Sequence, residues 1–185
     1  MNIERQIELI EQWAKDRELD KKGTVEGQTI KTVEEMSELI KGICKNNIDM
    51  IKDAIGDVFV TLVVGNMIQN KENSIAEINK TIAEWDSYMK DNYLYSKEEC
   101  INWAGEEEIL WILAFTEEIS DFISKNAEER YTSNGMYNIY VMLYTCALRN
   151  NLTLEDCIES AYNEIKNRKG KMINGTFVKE SDLNA

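Results

Sequence analysis

Val58-Phe-Val-Thr-Leu-Val-Val-Gly-Asn-Met-Ile68 carries no charge and turns apolar side chains to every side of a helix. A helix without a polar face is buried all round, so this stretch predicts a rod through the middle of a bundle. Its longest apolar run, Val58 to Val64 with Thr61 inside it, is far too short to cross a bilayer. Ile51, Ala54 and Ile55 carry the same periodicity back, giving a helix over about 48–69.

Amphipathic segments surround it. Ile3, Ile7, Ile10, Trp13 and Ala14 recur at helical spacing over 2–18, and Ile30, Val33, Met36, Ile40 and Ile43 do so over 28–45. The charged, glycine-bearing stretch Asp20 to Gly27 reads as the connection between them. Downstream, Ile75, Ile78, Ile82, Trp85 and Met89 mark another helix, and Ser96 with Glu99 reads as a capping box for a helix expected to break at Gly105. Segments 106–125, 136–149 and 153–168 complete the set. Only the tail departs from helix, where Asn174-Gly175 between two short apolar stretches predicts a type I′ turn. With proline absent and Glu and Lys abundant, the expected class is all-α, a helical bundle with a short C-terminal hairpin or folded-back tail.

The 185 residues, 43% of them hydrophobic, suffice for one core. A single domain is expected, internally duplicated into halves of about 1–92 and 93–185. EEMSELIKGICKN at 34–46 is echoed by EEISDFISKN at 117–126, and Asn70 by Asn150, although any two amphipathic helices with acidic openings share some of this pattern. Histidine is absent, which removes Ser-His-Asp and Cys-His catalysis and His-ligated zinc, haem or di-iron centres. A net charge of −13 argues against a partner such as duplex nucleic acid. Cys44, Cys100, Cys146 and Cys157 form no CxxC pair and read as reduced, mostly buried thiols. The charged opening MNIERQIELIEQW reads as neither signal peptide nor membrane span, so a cytoplasmic location is expected.

Chemistry concentrates in three places. Glu34, Glu35 and Glu38 share one helical face, where like charges raise one another's pKa and all-oxygen ligands suit a hard divalent cation, although a solvated helix face has the same composition. Asp57, one turn after Asp53, stands at the mouth of the apolar run, where a carboxylate carries a desolvation cost unless it is paired, and Lys52 is the only base close by on that helix. Gly56 beside it suits close approach of the preceding helix. Finally, 163–180 holds Lys166, Arg168, Lys169, Lys171 and Lys179 against Glu164 and Glu180, local positive charge suited to phosphate or to completing a helix C-terminus.

Glu34-Glu35-Met-Ser-Glu38, Lys52-Asp53-Ala-Ile-Gly-Asp57-Val, Tyr162-Asn163-Glu-Ile-Lys166-Asn-Arg168-Lys169-Gly170-Lys171 and the opening Gln12-Trp13-Ala14-Lys-Asp-Arg17 with Gln28 and Lys31 together resemble the MazG-like branch of the all-α nucleoside triphosphate pyrophosphohydrolases, related to dimeric dUTPases. The resemblance implies hydrolysis of a nucleoside or deoxynucleoside triphosphate to a monophosphate and pyrophosphate. It implies Mg²⁺ or Mn²⁺ held by Glu34, Glu35, Glu38 and Asp57, with Asp53 beside Ala54, where the family has glutamate. Lys31, Asn163, Lys166, Arg168, Lys169 and Lys171 are then assigned to phosphate, and Trp13 and Gln28 to the nucleoside, although Trp13 also suits a plain core position. Half two keeps Glu117, Glu118 and Asp121 but reads Met136-Tyr137-Asn138 near the counterpart of Asp57, which marks it as inactive and the whole as an internal pseudo-dimer. The rival is a non-catalytic nucleotide- or protein-binding module.

Overall fold

The computed structural model describes residues 2–92, 96, 98–99, 108–127 and 133–184. Asn2 opens α1 (Ile3–Asp16) by accepting the Arg5 amide. A left-handed Glu18 (φ 61°) leads to the single turn α2 (Leu19–Lys22), and Thr24 then caps α3 (Val25–Cys44) by accepting the Gly27 amide. Asn47 caps α4 (Ile48–Asn70) in the same way, through the Met50 amide. A 3-10 turn leads into α5 (Ser74–Asn92), followed by α6 (Glu108–Ala127), α7 (Ser133–Arg149) and α8 (Leu154–Ile165), which Thr153 caps. Strands β1 (Gly170–Ile173) and β2 (Thr176–Lys179) pair antiparallel, with Lys171 opposite Val178 and Ile173 opposite Thr176.

The fold is therefore all-α apart from this hairpin, and α4 is its axis. It touches α1, α2, α3, α5, α7 and α8, and Ile55, Val58 and Val63 on it are wholly buried. Asn174 (φ 47°) and Gly175 (φ 82°) both lie in the left-handed region, as the type I′ turn requires. No described helix is long and apolar enough to cross a membrane.

Three details differ from the periodicity. The stretch 20–27 is largely helical, because Thr24 caps α3 early and Gly27, without a Cβ, lets Gly175 and Thr176 of the hairpin sit against the first turn. The Thr24 amide donates to the Gly175 carbonyl at 3.2 Å. Helix α8 stops at Ile165, short of 168, because Arg17 from α1 supplies donors to the Lys166 and Arg168 carbonyls that a further helical turn would otherwise satisfy. Gly56 admits α8 and not α3, since a Cβ there would run into the Cys157 carbonyl and the Ala161 methyl. The Glu99 amide does donate to Ser96, at 3.3 Å, whereas the break expected at Gly105 lies outside the described residues.

The helix pairs α3–α4 and α6–α7 share several features. Helix α3 packs on α6, and α4 on α7. Gln28 on α3 donates to the Thr61 carbonyl at 3.0 Å, and Trp111 on α6 donates to the Thr145 hydroxyl at 3.2 Å. Both threonines donate to the carbonyl three residues earlier, on Val58 and Met142. Asn70 and Asn150 each reach back one turn, to Asn66 and Cys146, and a left-handed residue, Lys71 or Asn151, follows each.

Candidate functional site

Helices α3 and α4, the end of α8, strand β2 and Trp13 of α1 enclose a cleft of about 240 Å³. One wall is polar, formed by Lys31, Glu34, Glu35, Asp57, Arg168 and Lys179. The other is apolar, formed by Trp13, Leu19, Val60, Val64 and Phe177.

The polar wall follows from helical spacing. Lys31 precedes Glu34 and Glu35 by about one turn of α3, and its ammonium bridges them at 2.9 and 2.7 Å. Burial works against the Lys31 charge, but its hydrogen bonds to Glu35 and Glu34 and the charges of both outweigh that and hold its pKa above the ordinary lysine value. On α4, Asp57 is only partly exposed. Burial, then the charges of Glu35, Asp53 and Glu164, push its pKa up to about 7, and Arg168 alone pulls the other way. Asp53 is likewise raised, by burial first and then by Glu164, Glu35 and Glu38, again against Arg168. The cation whose charge opposes this at Asp57 is Arg168, itself ion-paired to Glu164, and not Lys52, which lines a separate groove with Asp49, Asp53 and Ser160.

The apolar wall is tightly held. The Trp13 indole N–H donates to the Ile165 carbonyl at 2.8 Å, and the ring meets Phe177 edge-on at 5.8 Å. Gln28, at 8% exposure, lines the cleft and spends its amide N–H on the Thr61 carbonyl. Trp13 is therefore at once a core residue, at 8% exposure, and part of the lining.

Seven expected residues, Trp13, Gln28, Lys31, Glu34, Glu35, Asp57 and Arg168, line this one cleft. Glu38 and Asp53 lie beside it, within electrostatic reach of each other. Asn163, Lys166, Lys169 and Lys171 do not line it. Because α8 ends early, exposed Lys166 donates to Asn163 at 2.8 Å, and Lys171 projects from β1 into solvent. Lys169 faces a neighbouring surface groove with Lys179 and Glu180. The structure adds Glu164, which is ion-paired to Arg168, and Lys179 and Phe177 from the hairpin. Glu164 stands one turn before Arg168 in sequence, a readable pairing signal, whereas the hairpin contributions depend on a register that no local pattern reports.

The donor set fits a divalent cation in its chemistry: carboxylate oxygens throughout, more acids than cations at Asp57 and Asp53, and one acid poised near neutrality. Among the described residues no three acidic side chains stand close enough to ligate one ion. Lys31 holds Glu34 and Glu35, so ion binding entails rotation of these side chains.

Counting back from Thr61 and Thr145 sets Val141 of α7 level with Asp57, whereas counting back from Asn70 and Asn150 sets Tyr137 there, within the stretch expected from sequence. Asn138 donates to Glu118 at 2.7 Å, and Asp121 is ion-paired to Lys125.

No family model matches the chain. No solved structure matches it either. The chain is 32% identical over 163 residues to an uncharacterized 18.2 kDa protein in the rep-hol intergenic region of Haemophilus phage HP1, an alignment spanning 86% of this chain and 98% of the phage protein. It belongs to the same family as that phage protein.

Proposed function

We propose that this member of the HP1 protein's family is a divalent-dependent nucleoside or deoxynucleoside triphosphate pyrophosphohydrolase of the MazG-like kind that its motifs resemble. One observation carries the reading: a single cleft joins a partly buried acid near neutrality, a row of carboxylates, cations from two distant segments and an aromatic wall. Such a combination suits a ligand with an anionic end and a flat, apolar end.

In this reading Glu34, Glu35, Glu38, Asp53 and Asp57 would hold Mg²⁺ or Mn²⁺. The ion would polarise phosphoryl oxygens and favour deprotonation of the attacking water. Water adds to the α phosphorus, the α–β anhydride bond breaks, pyrophosphate departs, and the water's proton passes to a carboxylate of the cluster. Arg168 and Lys179 neutralise the phosphate oxygens. With a cation on Glu34 and Glu35, Lys31 would be available for the same role. Trp13 and Phe177 flank the base, and the Gln28 carbonyl oxygen offers it an acceptor.

The chain is read further as two repeated halves, with one working site in half one. The matched contacts of α3–α4 and α6–α7 support this, as does the presence of a non-acidic residue, Val141 by the threonines or Tyr137 by the asparagines, where half one has Asp57. A cytoplasmic site of action follows from the nucleotide substrate.

The test is pyrophosphate release from each common ribo- and deoxynucleoside triphosphate with Mg²⁺ or Mn²⁺, comparing wild type with Glu35→Gln and Asp57→Asn. Release with at least one nucleotide, abolished in both variants, is expected. No release from any nucleotide refutes the reading. Nucleotide binding without release would select the second reading, a non-catalytic nucleotide-binding module, which Lys31 lodged between Glu34 and Glu35 favours.

A further inference from the structure

Arg17 lies outside the cleft lining, yet it makes more directed contacts to the phosphate side than any lining residue. Its Nε and Nη2 donate to the Arg168 carbonyl at 3.1 and 2.8 Å, Nη2 also to the Lys166 carbonyl at 3.2 Å, and Nη1 to the Trp13 carbonyl at 3.1 Å. Its guanidinium carbon sits 4.8 Å from the centre of the Trp13 ring. The planar fork thus binds the turn after α8, where the Lys166 and Arg168 amides are held by the Tyr162 and Ile165 carbonyls but the Lys166 and Arg168 carbonyls accept from Arg17, to the last turn of α1. That turn carries Arg168, the cation that bears on both Asp53 and Asp57.

We infer that Arg17 is a positioning residue for the phosphate-gripping guanidinium of Arg168, holding the turn that carries it by a three-bond clamp on the Lys166 and Arg168 carbonyls. The inference deepens the hydrolase reading and rests on its assignment of Arg168 to phosphate. A lysine in place of Arg17 keeps the charge but reaches one carbonyl at a time, so the clamp needs the guanidinium. The arrangement also explains why the turn is sharp. Two carbonyls that leave the helix find donors at once, and the chain is free to enter β1 only a few residues later.

The experiment compares wild type with Arg17→Met and Arg17→Lys, each alone and combined with Arg168→Ala. Two readouts are taken on the full chain: calorimetric titration with inorganic tripolyphosphate and Mg²⁺, and the side-chain N–H resonance of Arg168 in protein without phosphate. Tripolyphosphate lacks a base, so changes at Trp13 do not enter. Arg17→Met is expected to shift and broaden the Arg168 resonance and to weaken tripolyphosphate on the order of ten- to a hundredfold. Arg17→Lys is expected to keep wild-type melting behaviour while recovering little of the affinity. In the Arg168→Ala background either change is expected to cost less than about threefold, because its target is already gone. Equal losses in both backgrounds would mark Arg17 as a general structural support and overturn the inference, as would an unshifted Arg168 resonance. If wild type binds no tripolyphosphate, the phosphate assignment falls and the resonance decides Arg17 by itself. If Arg17→Met fails to fold, Arg17→Lys carries both readouts.

Discussion

Asp57→Asn is expected to stabilise the protein at alkaline pH in the absence of divalent ions, an effect opposite to that of removing most buried charges. The Asp57 carboxyl rises from 3.8 to about 7 in the fold, through burial and then through Glu35, Asp53 and Glu164. Between those values the folded protein retains a proton that the unfolded chain has released, so stability falls as pH rises through that window and stays low above it. At about 1.4 kcal/mol per pH unit the full span amounts to roughly 4 kcal/mol. Asp57 is only partly buried and solvent screens part of the repulsion from its acidic neighbours, which brings the expected cost to roughly 2 kcal/mol. Asparagine removes that cost at nearly the same volume. Urea unfolding of both proteins with EDTA, from pH 4.5 to 8.5, is expected to give similar stabilities at the acid end. At the alkaline end the variant should be more stable by roughly 2 kcal/mol, equivalent to about 4–8 °C in Tm for a chain of this size. Parallel pH profiles, or an asparagine variant less stable than wild type at pH 8.5, would refute the placement of Asp57 among uncompensated acids.

Removal of the cleft cations, by Arg168→Ala or Lys179→Ala, is expected to raise KM for the triphosphate on the order of tenfold or more, while Lys166→Ala and Lys171→Ala leave it within about twofold in the same steady-state assay. Gly56→Ala is expected to destabilise by about 1–3 kcal/mol in denaturant unfolding, because its methyl has no space against the Cys157 carbonyl. Joint substitution of Glu117, Glu118 and Asp121 by Gln, Gln and Asn is expected to leave turnover near wild type, and a loss above about tenfold would place catalysis in half two as well.

Much of the scaffold is legible from sequence because the stretch 58–68 of helix α4 has no polar face and the neighbouring helices have one each. Those patterns assign centre and periphery before any contact is known, and Asn174-Gly175 assigns the hairpin. What periodicity does not carry is where helices stop. The early start of α3 depends on the hairpin folding back onto Gly27, and the early end of α8 depends on Arg17, both contacts between chain segments far apart in sequence. The site divides in the same way. Asp57 stands out because an acid beside an apolar run is costly wherever it lands, whereas Glu35 is legible only as one of three clustered acids. Which cation of the segment 163–180 faces them is decided by the end of α8 and the register of β2, so Arg168 and Lys179 enter the cleft while Lys166 and Lys171 do not.

The two helix pairs dispose of a carboxylate in different ways, and the difference bears on where chemistry resides. Glu118 on α6 accepts the Asn138 amide at 2.7 Å, and the position four residues before Thr145 is Val141, buried at 5% exposure. On α3, Glu35 accepts from Lys31 at 2.7 Å, the position facing it by the same count is the small Ala54, and four residues before Thr61 stands Asp57, with three acids raising its pKa and one arginine lowering it. A fold that needed only stability would have answered Asp57 too, since an asparagine or valine there removes a cost of roughly 2 kcal/mol. Retaining an unanswered acid beside a movable lysine and a methyl-sized neighbour leaves both charge and room for a positively charged ligand. That is why the cleft between α3 and α4, and not the α6–α7 pair, is the place to look for a bound cation.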